Sequence, residues 1–169
     1  MKHSAAEARD IAESEVAQML TNKKKIHIEW GDCDPAGIVY FPCYFVFFDN
    51  CTAALFEAAG LPNYEMIKEH GIIGIPIVDT RARFLAPSRF GEDVVVESSI
   101  SEWRRSSFDV HHRLWKGDTL AVECFETRVW AVRSASNPER IEGRPVPPEI
   151  IRKFGHRRPA RTKRQGRGK

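Results

Sequence analysis

Residues 30–49 read WGDCDPAGIVYFPCYFVFFD, and this stretch decides the predicted fold. Pro35 disfavours the α conformation at the preceding residue, Asp34, and Gly37 takes a positive φ angle at no steric cost. Pro42 suits the first turn of a helix, because a residue there needs no N–H donor. We therefore predict a short, rigid loop that holds the Asp34 carboxylate directly before the start of an apolar helix.

The predicted loop and helix together suggest a chemical role. The first N–H groups of a helix have no partner within it, and together with the helix dipole they favour developing negative charge. A carboxylate beside such a site suits acyl-transfer chemistry. A simple turn residue is the alternative for Asp34, and we expect Asp32, in the same loop, to hydrogen-bond the loop rather than to react.

The long helix is predicted over residues 42–59. Apolar side chains recur at helical spacing and cover most of its circumference, so we expect it to be buried on most sides. The regular positions are Tyr44, Phe48, Cys51, Leu55 and Ala58. Gly60 suits a left-handed helix cap, and Pro62 prevents the helix from continuing.

Period-two alternation of apolar and polar residues predicts the strands. They lie at residues 25–30, 78–84, 94–101, 108–114 and 120–132, and shorter helices are predicted at 63–69 and 147–154. Short turns link the last four strands, which therefore pair antiparallel. The fold class is α+β, with an antiparallel sheet curved around one long central helix. Such a sheet has an edge to protect, and a dimer is a common solution.

Two adjacent histidines lie on one of these strands. Successive side chains of a strand point to opposite faces, so His111 and His112 face different surroundings. We expect one of them in contact with solvent and the other hydrogen-bonded in the core.

Charge is distributed unevenly along the 169 residues, whose net charge is +3. Residues 156–169 hold seven Lys and Arg and no acid, so residues 1–155 carry 19 basic against 23 acidic residues. We predict a helical extension at 1–22, a single folded domain at 23–155, and a disordered basic tail at 156–169. For the tail, a solvated appendage and a weak polyanion contact both stay open, and nucleic acid is not an expected partner.

Several functional classes lack support in the sequence. The four cysteines, Cys33, Cys43, Cys51 and Cys124, form no C-x-x-C pair, so we expect reduced thiols and no metal site. No apolar run is long enough for a membrane span, and the N-terminal residues are too acidic for a signal peptide, which predicts a cytoplasmic protein without a membrane partner. Neither a G-x-S-x-G elbow nor a Gly-rich nucleotide loop is present.

Four segments, in order along the chain, resemble the hotdog-fold acyl-CoA thioesterases, and most closely the 4-hydroxybenzoyl-CoA thioesterase family. They are GDCDPAGIV at 31–39, GLP at 60–62, GIIGIPIV at 71–78 and EWRRSSF at 102–108. The resemblance implies hydrolysis of an acyl-CoA thioester, with an aromatic acyl group such as 4-hydroxybenzoyl, to free acid and coenzyme A. It implies no cofactor, since coenzyme A is part of the substrate. It also implies a homodimer or homotetramer with the active site across a dimer interface.

The resemblance assigns chemical roles to residues around the loop. Asp34 matches the catalytic carboxylate, which acts either as a nucleophile or as a general base on water. The backbone at Phe41, Pro42 and Cys43, where the long helix begins, is expected to polarise the thioester carbonyl.

Four further residues are expected to contact the substrate. Asp49 and Tyr64 match positions near the acyl ring, and a structural role stays open for both. Arg104 and Arg105 match residues that hold the nucleotide phosphates of coenzyme A, a role that guanidinium groups suit. The family has a tryptophan where this chain has Tyr64 and a third basic residue where it has Ser106.

Two alternatives to an aromatic acyl-CoA thioesterase stay open. One is a thioesterase for short or medium aliphatic acyl-CoA. The other is a non-enzymatic protein of the same fold that uses its basic tail to contact a polyanion. The presence of Asp34 favours an enzyme, because a pure binding protein has no need of a carboxylate at the reacting centre.

Overall fold

A computed structural model describes residues 19–155 of the chain. Within this range a 3₁₀ turn at Trp30–Asp32 precedes the long helix. The strands and helices are β1 (Thr21–His27), α1 (Phe41–Ala58), α2 (Asn63–His70), β2 (Ile77–Phe84), β3 (Asp93–Trp103), β4 (Ser107–Lys116), β5 (Thr119–Val129), β6 (Ala131–Arg133), β7 (Ile141–Gly143) and α3 (Pro148–Lys153). The predicted basic tail, and residues 1–18 of the predicted helical extension, lie outside the described residues.

The first strand begins earlier than predicted. β1 starts at Thr21 and ends at His27, whereas Trp30 belongs to the 3₁₀ turn. Residues 21 and 22 are therefore strand and not helix, which corrects the boundary at residue 22. The strand pairs antiparallel with β3 from Thr21 opposite Ser99 to His27 opposite Asp93. The polar run TNKKK shows no apolar alternation because this strand lies at an edge of the sheet.

The predicted strand at 120–132 is divided in the structure. At Trp130 the backbone N–H donates to the carbonyl of Ser106 at 2.9 Å, and this bond marks the break between β5 and β6. β6 pairs with β7, a strand that the sequence analysis did not predict. Short strands of three residues carry too few positions for alternation to be recognised.

The main sheet is antiparallel, with the strand order β1-β3-β4-β5-β2. β2 pairs with β5 and not with β3, which corrects the pairing expected from the short link between β2 and β3. α1 packs on one face of it, and the helix side chains form two apolar clusters with the inward residues of the strands. The buried residues of the helix are Tyr44, Phe47, Phe48, Cys51, Thr52, Leu55 and Phe56. Gly60 ends this segment with a φ angle of 74°, as predicted. The arrangement is the expected hotdog fold, in which an antiparallel sheet wraps a long helix.

One side of the helix and sheet is exposed to solvent in the single chain. Val46 and Asp49 on α1 are exposed, and the edge strand β2 is exposed along almost its whole length. Apolar side chains on this strand include Val78, which is 62% exposed, and Phe84, which is 50% exposed. The helix is therefore less completely enclosed than its apolar circumference predicted. No helix within residues 19–155 is long and apolar enough to cross a membrane.

Candidate active site

The loop before α1 is a tight hairpin held by backbone hydrogen bonds. The N–H of Asp34 donates to the carbonyl of Ile38 at 2.9 Å, and the N–H of Gly37 donates to the carbonyl of Asp34 at 2.9 Å. Gly37 has a φ angle of 72°, the left-handed conformation that its lack of a side chain permits. Cys33 and Val39 form a β-bridge across the hairpin. These contacts fix the backbone that carries the acid, as predicted.

The carboxylate of Asp34 is only partly engaged by the chain. Its Oδ1 accepts a hydrogen bond of 2.8 Å from the N–H of Ala36, which orients the side chain. Its Oδ2 accepts no hydrogen bond, and the group forms no ion pair, within residues 19–155. An oriented carboxylate with one unengaged oxygen is able to accept a proton from water or to attack a carbonyl carbon.

Asp32 holds the loop in place, as the sequence analysis expected. Its Oδ2 accepts a hydrogen bond of 2.8 Å from the N–H of Glu29 and so stabilises the 3₁₀ turn. Its backbone carbonyl accepts a hydrogen bond of 2.8 Å from the N–H of Tyr40, the residue that precedes α1. The side chain of Asp32 thus stabilises the turn, and its backbone carbonyl joins the loop to α1.

The start of α1 offers one backbone donor rather than three. The N–H of Phe41 has no acceptor among the residues that the structure describes. Pro42 has no N–H at all, and the N–H of Cys43 donates to the carbonyl of Tyr40 at 2.8 Å. Of the three positions expected at the oxyanion site, Phe41, Pro42 and Cys43, Phe41 therefore has the N–H without an acceptor among the described residues. No side chain of the described residues caps this helix end.

An apolar groove of about 290 Å³ lies beside this helix start. Phe41 and Tyr44 of α1 form one wall, and residues 84–87, at the end of β2, form the other. Phe41 is 57% exposed, so its ring is accessible from the groove. The groove therefore places an apolar surface beside the first turn of α1.

A second cavity, of about 410 Å³, lies farther along α1. Asp49 and Arg128 supply its charged groups, and residues 73–77 supply much of its apolar lining. The Nη2 of Arg128 lies 2.8 Å from the Oδ1 of Asp49. The Asp49 side chain is 65% exposed and that of Arg128 only 5% exposed. Asp49 is therefore anchored by a buried cation but accessible from the cavity, so its structural and substrate-facing roles are compatible.

Arg128 belongs to a buried polar chain that the sequence analysis missed. Its Nε donates to the Oε2 of Glu126 at 2.8 Å, and that oxygen lies 3.5 Å from the Nε2 of His112. The Nδ1 of His112 is 2.8 Å from the Oγ of Ser98, and Thr52 Oγ1 lies 3.3 Å from Nε2. The sequence did contain a signal for these buried contacts. Positions 126 and 128 belong to the alternate positions of β5 whose other residues are apolar and face the helix.

Burial and pairing shift the pKa values of the side chains in this buried hydrogen-bonded cluster. Burial lowers the pKa of His112 below its ordinary value, although the nearby Glu126 opposes the shift. Burial raises the pKa of Glu126, but hydrogen bonding from His112 and the charge of Arg128 outweigh it and leave that pKa below its usual range. His112 is thus the core histidine that was predicted, while His111 is half-buried on the other face with Glu123 at 3.0 Å.

Tyr64 does not pack within the single chain. It lies on α2 and is 76% exposed, so the packing role that the sequence left open finds no support within the described residues. It lies next to Asn63, which lines the second cavity.

Arg104 and Arg105 form the turn between β3 and β4, where the structure places them in different surroundings. Arg104 donates to both Asp109 and Glu102, with 2.9 Å between Nη1 and the Oδ1 of Asp109. Hydrogen bonding from Arg104 holds the pKa of Asp109 below its usual range. Arg105 is exposed, and its side chain makes no ion pair within residues 19–155. Of the two, Arg105 has the guanidinium that is available to an anion.

Metal ligation and cysteine chemistry find no support in this region. Within residues 19–155 no group of three His, Cys, Asp or Glu side chains is arranged to hold a metal ion. The cysteines at positions 33, 43, 51 and 124 are not paired in disulfides. Burial raises the pKa of Cys51 and of Cys124 to about 11, which makes both thiols poor nucleophiles.

Comparison with known proteins adds a family assignment to this geometry. A family model described as the thioesterase-like superfamily matches residues 28–154. The chain is 36% identical over 142 residues to 4-hydroxybenzoyl-CoA thioesterase of Pseudomonas sp. (strain CBS-3), covering 80% of this chain and 97% of that protein.

Solved structures of thioesterases are also similar in fold to this chain. The fold is similar to that of a 4-hydroxybenzoyl-CoA thioesterase variant in complex with 4-hydroxybenzoyl-CoA, with a TM-score of 0.74, 32% identity, and coverage of 79% of this chain and 98% of that one. It is also similar to a gentisyl-coenzyme A thioesterase, with a TM-score of 0.66, 28% identity, and coverage of 79% and 98%.

Proposed function

Because this chain belongs to the thioesterase-like superfamily, we propose that it hydrolyses an acyl-coenzyme A thioester to a free acid and coenzyme A. The observation that carries the proposal is the pairing of two unengaged groups around one loop. Asp34 has a free carboxylate oxygen, and Phe41 has a free N–H at the start of a helix, next to an apolar groove.

The two groups divide the chemistry between them. Asp34 takes a proton from a water molecule as the water oxygen attacks the thioester carbon, or it attacks that carbon itself and water then hydrolyses the anhydride. In either course the C–S bond breaks and the sulfur of coenzyme A leaves as a thiolate that is then protonated. The N–H of Phe41 and the α1 dipole stabilise the oxyanion, a contribution of about 3–4 kcal/mol for such a donor.

The second cavity suits an aromatic acyl group with a polar substituent. Its lining is largely apolar, and the carboxylate of Asp49 provides an acceptor at its edge. Such a combination binds a phenyl ring and accepts a hydrogen bond from a ring hydroxyl. Tyr64, exposed beside the cavity, supplies an aromatic surface on the same side. The relatives that act on 4-hydroxybenzoyl-CoA and gentisyl-CoA support an aromatic substrate here.

Within one chain, however, the two parts of this site are separated. Asp49 follows Phe41 by eight positions along the helix, a rise of about 12 Å, which exceeds the length of one benzoyl ring. The groove at Phe41 adjoins Phe84 at one end of β2, and the cavity at Asp49 adjoins Ile77 at the other end. A single acyl group therefore does not reach both parts in the isolated chain.

A two-fold dimer through β2 brings these parts together. When two copies of an edge strand pair antiparallel, the Ile77 end of one lies against the Phe84 end of the other. The cavity of one copy then adjoins the Asp34 loop of its partner, and the exposed apolar side chains of both β2 strands are covered. We therefore assign the protein a homodimer as its smallest active unit, with a homotetramer as a further assembly of dimers.

The coenzyme A portion of the substrate needs basic groups outside the acyl site. Arg105 is the stronger candidate for a phosphate contact, because Arg104 is already held by Asp109 and Glu102. The reduced cysteines fit a cytoplasmic enzyme.

A panel of acyl-CoA thioesters tests the proposed function. Thiol release is followed with 4-hydroxybenzoyl-, benzoyl-, gentisyl-, butyryl- and hexanoyl-CoA. We expect the highest kcat/KM for the aromatic members. A higher value for butyryl- or hexanoyl-CoA would overturn the aromatic assignment, and no thiol release with any member would overturn the enzymatic function.

A further inference from the structure

We infer that Arg128 is a positioning residue that holds the Asp49 carboxylate in one orientation, and that this orientation selects acyl groups carrying a hydroxyl. The inference rests on the proposed function, since it concerns the acyl end of the same site. It adds a residue on β5 whose effect on the substrate passes through Asp49.

The guanidinium of Arg128 is fixed on three sides. Its Nη2 donates to Asp49 Oδ1 at 2.8 Å, and its Nε donates to Glu126 Oε2 at 2.8 Å. Its Nη1 donates to the carbonyl of Ile75 at 3.3 Å, in the segment that lines the cavity. A planar fork with an acceptor on each nitrogen has one orientation that satisfies all of them.

The group behind Arg128 is itself immobilised in the core. Glu126 is 1% exposed, and its Oε2 also accepts a hydrogen bond of 3.4 Å from Thr52 Oγ1 on α1. His112 is completely buried and is held by Ser98 at 2.8 Å. The chain of contacts therefore runs from the centre of the sheet, through Glu126 and Arg128, to the edge of the cavity.

Asp49 benefits from this anchor because nothing else in the described chain fixes it. Its side chain is 65% exposed on the helix surface, where a carboxylate samples several rotamers. With Oδ1 held by Arg128, Oδ2 becomes an acceptor with a fixed direction at the edge of the cavity. A ring hydroxyl that meets this oxygen forms a charge-assisted hydrogen bond without first having to order the side chain.

The charges around the cavity favour a neutral hydroxyl over an anionic substituent. The single guanidinium of Arg128 faces two carboxylates, those of Asp49 and Glu126. A carboxylate on the acyl ring would therefore meet a site in which two negative charges already face one positive charge. The expected substrate class is therefore an aroyl-CoA with a hydroxyl that reaches Asp49.

The test compares kcat/KM for 4-hydroxybenzoyl-CoA and benzoyl-CoA, which differ only in the hydroxyl. In Arg128→Lys the charge stays, but a single ammonium cannot reproduce the fork. We expect the preference for the hydroxylated substrate to fall about tenfold, because kcat/KM falls more for 4-hydroxybenzoyl-CoA than for benzoyl-CoA. Asp49→Asn serves as the reference for loss of the charge on the acceptor.

Glu126→Gln provides a second variant. It tests the inference even if the protein does not fold with lysine at position 128. Glu126 does not line the cavity, and its hydrogen bond with Arg128 links it to Asp49, so we expect a reduced preference in this variant as well. The matched control is Arg113→Lys, an arginine that pairs with Glu97 at 2.9 Å on the other face of the sheet. We expect the control to keep the preference of the unmodified enzyme.

The kcat/KM ratios of these variants decide between the inference and a merely structural role of Arg128. An unchanged preference in both Arg128→Lys and Glu126→Gln overturns the inference, as does an equal loss for the two substrates, which indicates a merely structural role. An unchanged preference in Asp49→Asn also overturns it. If the unmodified enzyme hydrolyses neither thioester, it is the proposed function that fails.

Discussion

The carbonyl oxygen of Asp32 accepts a hydrogen bond of 2.8 Å from the N–H of Tyr40, and this contact joins the acid-bearing loop to the start of α1. The side chain of Asp32 adds a second contact, a hydrogen bond of 2.8 Å from the N–H of Glu29. The position of Asp34 relative to the helix N-terminus therefore depends on the contacts of its neighbour Asp32.

Removal of the Asp32 side chain tests this dependence. We expect Asp32→Ala to lower the free energy of unfolding by about 1 kcal/mol, because the 3₁₀ turn loses its cap. We also expect a lower kcat, since the loop that carries Asp34 loosens. Asp32→Asn keeps an oxygen acceptor and should retain both properties. Urea unfolding and steady-state kinetics measure the two effects, and equal behaviour of the Ala and Asn variants would contradict the assigned role.

The edge strand gives a prediction about assembly. Val78 is 62% exposed on β2, where we expect it to lie in the dimer interface. A lysine at an edge position opposes strand pairing, so Val78→Lys should yield a monomer with kcat/KM reduced by at least about tenfold. Light scattering gives the mass and thiol release gives the activity. Thr119→Lys, at the exposed start of β5, is the control, and a fully active Val78→Lys monomer would refute the composite site.

The two arginines of the β3–β4 turn should differ in function. Arg105 has no ion pair within the described residues, so Arg105→Gln should raise KM for an acyl-CoA by about tenfold through loss of a phosphate contact. Arg104→Gln should have a smaller effect, because Arg104 is held by Asp109 and Glu102. An acyl-pantetheine substrate lacks the nucleotide, and its KM should not change in either variant. A similar rise for acyl-pantetheine would rule out phosphate binding.

The buried histidine predicts how stability depends on pH. The pKa of His112 is lowered in the folded state, so below its ordinary value of 6.5 the unfolded chain binds more protons than the folded one. The free energy of unfolding should therefore decrease as the pH falls from about 6.5 toward 5. The lowered pKa of Glu126 extends this loss below its ordinary value of 4.5.

A histidine variant isolates this contribution. His112→Gln should reduce the pH dependence between pH 7 and pH 5, while His111→Gln, on the other face of β4, should leave it in place. Urea unfolding at several pH values makes the comparison. A slope in the His112 variant equal to that of the unmodified protein would contradict the assignment.

The loop and the long helix follow from local sequence. Pro35, Gly37 and Pro42 each restrict or release a particular backbone angle, and such effects operate without knowledge of the rest of the fold. The predicted helix at 42–59 therefore differs by only one residue at each end from α1, and Gly37 takes the expected positive φ angle.

The features that local sequence did not reveal depend on contacts between distant segments. The link from Asp49 to Arg128 spans 79 positions, so it requires the register of β5 against α1. The engagement of Cys43 by Tyr40 depends on how the helix begins, a detail that composition does not encode. β1 was misjudged in extent because an edge strand of lysines has no apolar alternation.

The central claim is that the Asp34 carboxylate drives thioester cleavage, and Asp34→Asn tests it most directly because the amide keeps the shape and removes the charge. Asp32→Asn, two residues away in the same loop, is the matched control. The measurement is steady-state kcat with 4-hydroxybenzoyl-CoA. We expect kcat to fall by about 10²–10⁴-fold in Asp34→Asn and to stay near that of the unmodified enzyme in Asp32→Asn. A kcat for Asp34→Asn within about twofold of the unmodified enzyme would contradict the mechanism.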